Sequence, residues 1–136
     1  MHHAEALDMV NGYIRRFGEA VAVDLHPLDV DGYTDVRHGA VVIGINACVE
    51  RNVLLILARM RTVSDQDGAG LYRKLLELNF LATRSCSFAI DEQRKRLYVR
   101  AMRSLEGLEY EEFVELLETV AGVAESMRSR VPELCE

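Results

Sequence analysis

The sequence predicts an α+β fold: an antiparallel, twisted sheet flanked by helices, with elements in the order α-β-β-β-α-β-β-α. Three observations carry this. Apolar residues recur at spacings of three and four near both ends of the chain and again in its middle, the signature of one-faced helices. Short runs rich in Val, Ile, Leu and Tyr lie between these stretches, and four of them form two pairs separated by polar segments, as hairpins require. No repeat, low-complexity tract or linker divides the 136 residues, so residues 1–136 read as one domain, long enough to bury roughly two-thirds of the unfolded surface.

Taken in order, Ala4 to Phe17 places Leu7, Val10, Ile14 and Phe17 on one face, with Glu5, Asp8, Arg15 and Arg16 elsewhere, and Gly18 is expected to end this helix. Ala20 to Leu25 alternates, Val21, Val23 and Leu25 against Ala20, Ala22 and Asp24, which predicts a strand with one apolar side. His26 to Gly39, with Pro27, Gly32, Gly39 and three Asp residues, is expected to be an exposed loop or a ragged hairpin connection. Val41 to Ile45 and Val53 to Met60 follow as an antiparallel hairpin joined by Asn46 to Asn52. The second run is apolar on both faces and suits a central strand.

The stretch from Leu71 to Met102 organises the rest. Ser64, Asp65 and Asp67 offer acceptors and negative charge for a helix start. In the helix, Leu71, Leu75 and Leu78 form one stripe and Tyr72, Leu76 and Phe80 a second, leaving Arg73, Lys74, Glu77 and Asn79 for water. A helix apolar over so much of its circumference needs cover on two sides. The sheet supplies one, and a second copy of the chain most simply supplies the other, which predicts a homodimer. Alternatively, the first stripe faces the sheet and Tyr72 and Leu76 are only half covered. Leu75→Glu combined with Leu76→Glu is expected to give monomers or unfolding. After a brief linker, Ser87 to Asp91 and Leu97 to Met102 form a hairpin around a charged turn, where Phe88 and Ile90 meet Leu97, Val99 or Ala101. Leu108 to Arg130 closes the chain as a helix with Tyr110, Phe113, Val114, Leu117, Val120, Ala121, Ala124 and Met127 on one stripe. Glutamates near its start and arginines near its end match the helix dipole, and Pro132 stops it.

Composition narrows the function. The net charge of -6 argues against general nucleic-acid binding, whose affinity comes largely from neutralising phosphates. The three cysteines, Cys48, Cys86 and Cys135, match no zinc or redox spacing and read as reduced thiols. The first ten residues hold no apolar run of signal-peptide length, and the longest run, Val53 to Ala58, is too short to span a bilayer, so a cytoplasmic protein without membrane insertion is expected. No cofactor, metal or catalytic residue is predicted. His2 and His3 are two ligands where a structural zinc site wants about four. Asp29, Asp31 and Asp35 alternate as calcium ligands do, yet without the Gly and closing Glu of an EF-hand loop. Cys48 with His26 or His38 would make a thiol and its base only if the fold joined them. Arg94, Lys95 and Arg96 read as a solvated turn, and there is no Gly-rich phosphate loop.

Three stretches, LYRKLLELNFLA, SFAIDEQRKRLYVRAM and SLEGLEYEEFVELLETVAGVAE, resemble the Tir chaperone (CesT-like) family, the class I chaperones of type III secretion. They correspond to a Leu-rich helix ending in Asn, a hairpin whose first strand ends in Asp, and a Leu-Glu-x-Leu turn entering an acidic C-terminal helix. The first half matches in element order only, and its Asp-rich loop is longer than the family pattern. The resemblance implies a secretion-chaperone-like homodimer, not an enzyme, that holds an extended segment of an effector protein on apolar patches and keeps it secretion-competent. It also implies a dimer interface on the central helix, here Leu71, Tyr72, Leu75, Leu76, Leu78 and Asn79. Val10, Ile14, Phe17, Val21, Val23 and Leu25 are the expected partner-binding residues, because the first helix and the run after it hold more apolar surface than a small domain readily covers. The alternative is a regulatory protein-interaction module of the same fold, as in the YbjN-like proteins.

Overall fold

The computed structural model describes residues 2–81 and 85–135, so the linker expected after the central helix, at 82–84, lies outside the described residues. Its elements are α1 (His3–Val21), β1 (Tyr33–His38), β2 (Val41–Cys48), β3 (Val53–Thr62), α2 (Ala69–Leu81), β4 (Ser87–Asp91), β5 (Arg96–Ser104) and α3 (Tyr110–Arg130). Single 3-10 turns follow β2 and α3. The element order is the expected one.

The five strands form one antiparallel sheet in the order β1-β2-β3-β5-β4, with the apolar β3 at its centre. Successive side chains of a strand point to opposite faces, and here one face is sealed while the other is left to solvent. Ile43, Ile45, Leu54, Ile56, Leu97 and Val99 are almost wholly buried on the sealed face. They lie beneath Val10 and Ile14 of α1 and Phe113, Leu117, Val120 and Met127 of α3, all in the same core. The predicted hairpin pairs Phe88 with Val99 and Ile90 with Leu97.

α3 starts where its sequence says it should. Glu109 and Glu112 form a reciprocal capping box, and Arg103 grips both oxygens of Glu112 at 3.1 Å, tying the end of β5 to the helix start. The Leu-Glu-x-Leu turn before it buries Leu105 and Leu108.

Two expectations for the first third are corrected. Ala20 to Leu25 is not a strand, because α1 runs through Gly18 to Val21. Gly18 does not end the helix but is buried within it, and a Cβ there would stand 2.8 Å from the carbonyl oxygen of Val23. The turn falls instead at Ala22, in the left-handed conformation at φ 58°, where Val23 N–H bonds Gly18 O and Ala22 N–H bonds Glu19 O. That is the double bond pattern of a helix C-cap in which glycine is the usual residue. The alternation that suggested a strand belongs to a segment folded back along α1, held where Leu28 N–H meets the Asn11 side chain at 2.8 Å.

The second correction is that His26 to Gly39, expected as an exposed loop or a ragged hairpin connection, contains β1 as a regular strand of the sheet. Its paired face carries only Thr34 and Val36, opposite Ile45 and Ile43, and Asp35 and Arg37 point the other way. An edge strand with so short an apolar pattern is masked in sequence by the Asp and Gly residues around it.

Arg61 and Asp67 position the start of α2. The guanidinium bonds both Asp67 oxygens at 2.9 and 3.0 Å and the carbonyl of Glu133 at 3.3 Å, linking β3, the lead into α2 and the C-terminal turn. The backbone amide of Ser64 and then the Arg61 guanidinium hold the Asp67 carboxyl below the usual carboxylate range. A depressed acid stabilises the fold above its unfolded pKa, and this contribution is lost as pH falls through the folded value. Asp67→Asn is therefore expected to lower the melting temperature at pH 7 and to flatten its decline below about pH 4. Melting curves that keep the same acid dependence in the variant would exclude this role.

Candidate partner-binding surface

The expected partner-binding residues divide by depth. Val10 and Ile14 are 0% and 2% exposed, so they fill the core and cannot meet a partner. They sit where α1 crosses the sheet, the deepest part of its apolar face. Val21 and Val23 are 46% and 53% exposed, and Phe17 and Leu25 are partly buried at the edge of the core. These four, with Val36 and Leu117, line a groove of about 480 Å³ between the end of α1, β1 and α3. The groove is held open by rigid neighbours. The Tyr13 hydroxyl donates to Leu108 O at 2.7 Å, and Arg16 lies 4.0 Å above the Tyr110 ring, so α1 is pinned to α3 just before Phe17.

The groove runs beside a free sheet edge. Ala47 N–H bonds Gly32 O at 2.8 Å, and antiparallel alternation then turns the backbone groups of Tyr33, Asp35 and Arg37 outward. Asp29 satisfies Tyr33, through its own N–H to Tyr33 O and its carboxylate to Tyr33 N–H. The N–H and C=O of Asp35 and Arg37 remain turned to solvent next to the apolar groove, where an added strand would pair.

The opposite edge is capped at Phe88. Phe88 N–H donates to the Asn79 side-chain oxygen at 2.6 Å, and the Asn79 amide donates back to Phe88 O at 3.4 Å, occupying the outer edge of β4. Asn79 thus has a role inside the chain. Among the other expected interface residues, Leu75 is 5% exposed and belongs to the core, and Leu71 and Leu78 pack partly against it. The stripe facing outward is Tyr72, Leu76 and Phe80, at 42%, 70% and 88% exposure. Two exposed residues lie outside the expected interface: Phe80, which continues the i, i+4 spacing, and Met102, which the inward alternation of Leu97, Val99 and Ala101 turns outward.

Cys48 and His38 do not come together. His38 pairs with Val41 at one end of β2 and Cys48 lies at the other, seven residues and roughly 20 Å along the strand. Burial pushes the Cys135 thiol up, away from the reactive thiolate. Asp29 is engaged by the amides of Asp31 and Tyr33, and Asp35 lies 3.8 Å from Arg59. Among the described residues, no three His, Cys, Asp or Glu converge as a metal site, and no helix is long and apolar enough to cross a membrane.

An apolar groove along an open strand edge, with an exposed apolar helix stripe at the far end of the sheet, defines a protein whose surface suits polypeptide chains. The chain belongs to the Tir chaperone protein (CesT) family, whose family model matches residues 13–128. Among solved structures it is similar to a chain of the ExsC–ExsE complex, with a TM-score of 0.74 at 23% identity over 90% of this chain and 93% of that one. A chain of the heterodimeric ExoU–SpcU complex from the type III secretion system of Pseudomonas aeruginosa aligns with a TM-score of 0.61 at 17% identity, over 93% and 98% of the two chains. YbjN of E. coli, described as a candidate transcription regulator, also aligns, with a TM-score of 0.61 at 16% identity over 88% and 91%. No curated protein matches the sequence.

Proposed function

We propose that this chain is a class I type III secretion chaperone, a single-domain cytoplasmic homodimer that is not an enzyme and that holds an extended segment of an effector protein. The observation that carries this reading is the apolar groove beside the unpaired edge of β1. A segment added to that edge would bond the backbones of Asp35 and Arg37 and place alternate side chains into the groove, affinity coming from the main chain and selectivity from the pocket. Phe17, Val21, Val23 and Leu25 are the binding residues. Each aliphatic side chain newly covered contributes about 1.5 to 3 kcal/mol before ordering costs. The second copy docks on Tyr72, Leu76 and Phe80.

The test is capture of partners from source-cell lysate by the wild-type dimer, followed by limited proteolysis. The expected result is one partner protected over a single extended stretch, with retention falling at least tenfold in the Val21→Asp, Val23→Asp double variant. Both valines are about half exposed, so circular dichroism should show an intact fold. Retention of a folded protein without a protected stretch would replace this reading with the regulatory one that the likeness to YbjN keeps open.

A further inference from the structure

The face of the sheet turned away from α1 and α3 is bare, and its charge runs against that of the chain. Leu55, Leu57 and Tyr98 form the half-buried floor of a shallow groove of about 720 Å³, and Arg59, Arg96 and Arg100 line it from the same two strands. Arg94 reaches its rim from the β4–β5 turn. Four guanidiniums thus gather on one face of a protein whose net charge is -6.

The acids around them are largely occupied. Asp91 is bound by Arg94 at 2.7 Å, and the Asp29 carboxylate accepts the amides of Asp31 and Tyr33. Asp31 stands on the β1 side of the rim. Arg59 reaches the Tyr33 hydroxyl at 3.4 Å and Asp35 only at 3.8 Å. Arg100, half-buried between Leu57 of β3 and Ser87 of β4, has no ion-pair partner among the described residues. A guanidinium lying over apolar side chains keeps little of its water and presents a planar fork that matches a carboxylate.

We propose that this open face is a second docking surface, for an acidic extended segment of the polypeptide partner. The inference rests on the reading of the chain as a polypeptide-binding protein and adds the chemistry of the bound segment. The register suggests its spacing. Arg59 is paired with Tyr98 and Arg100 with Leu57, so the two arginines are diagonal neighbours about 7 Å apart. Residues i and i+2 of an extended chain are separated by nearly the same distance, about 6.6 Å. Two carboxylates in an acid-x-acid pattern therefore meet Arg59 and Arg100 together. Nucleic acid, the other polyanion, is disfavoured by the acidic remainder of the protein.

The probe is a 12-residue peptide alternating Glu with Ser, followed by amide NMR on the full chain beside versions carrying Lys or Gln in place of Glu. The expected result is shifts centred on Leu57, Arg59, Tyr98 and Arg100 with the Glu peptide alone. Its affinity should fall at least tenfold between 50 and 500 mM salt and at least tenfold in the Arg59→Gln, Arg100→Gln variant, whose melting should match the wild type. Equal shifts from the Lys or Gln peptide, or shifts confined to the α1 groove, would overturn the proposal. So would tighter binding of a 12-nucleotide single-stranded DNA at these residues. The Val21→Asp, Val23→Asp variant separates the two readings: it should lose the captured partner yet bind the Glu peptide as the wild type does.

Discussion

Leu76→Glu combined with Phe80→Glu is expected to give a folded monomer, and Leu75→Glu alone an unfolded chain. All three residues lie on α2, and their burial separates the outcomes. Leu76 and Phe80 are 70% and 88% exposed within one chain, so charge there costs the monomer little, within about 0.5 kcal/mol. In a twofold dimer each appears twice, and burying four such side chains is worth about 6 to 12 kcal/mol before the cost of association. Four carboxylates in that contact would abolish it. Leu75, at 5% exposure, packs in the core, where losing a leucine costs about 2 to 5 kcal/mol and a buried carboxylate adds several more. That sum rivals the whole stability of a small domain, about 5 to 15 kcal/mol. Sedimentation velocity with circular dichroism distinguishes the cases, and a persistent dimer of the double variant would rule out this interface. Joining Leu75→Glu to Leu76→Glu would mix the two effects.

Gly32→Ala is expected to destabilise the fold by about 2 to 3 kcal/mol and to loosen β1 first. Gly32 has φ +77°, and a Cβ would stand 2.5 Å from the Ala47 carbonyl oxygen, a backbone atom that cannot step aside. Its own carbonyl accepts the Ala47 amide at 2.8 Å, the bond that begins the β1–β2 ladder. Because β1 is an edge strand, the core can survive its fraying, but the groove loses Val36 and the free edge loses its register. Hydrogen exchange should show protection lost at Ile43, Ile45 and Ala47, whose amides face β1, while β3 and β5 keep theirs. Unchanged exchange in β2 would show that the turn tolerates a side chain.

Four of the five strands and two of the three helices were legible because their signals are local and redundant. The β2–β3 and β4–β5 hairpins carry long apolar runs around polar turns, and α3 repeats its stripe over five turns with a glutamate box at its start. β1 was missed because an edge strand needs only Thr34 and Val36 to face the core, too few to stand out among Asp31, Gly32, Asp35 and Gly39. The end of α1 was misjudged because Gly18 suggested a stop, whereas its missing Cβ admits the returning chain at Val23.

The surface followed a similar division. Periodicity grouped Tyr72 with Leu76 and Val21 with Val23, since spacing determines which side chains share a face of a helix or strand. Spacing is silent on which face a neighbour covers. Tertiary packing decided that Val10, Ile14 and Leu75 are core, that Asn79 caps Phe88 on the β4 edge, and that the β1 edge and the arginine-bearing face stay open. The sequence by itself determined the three helices, the β2–β3 and β4–β5 hairpins and the acidic, largely aliphatic character of the chain. Exposure depends on residues distant along the chain, and only the assembled sheet and helices bring those together.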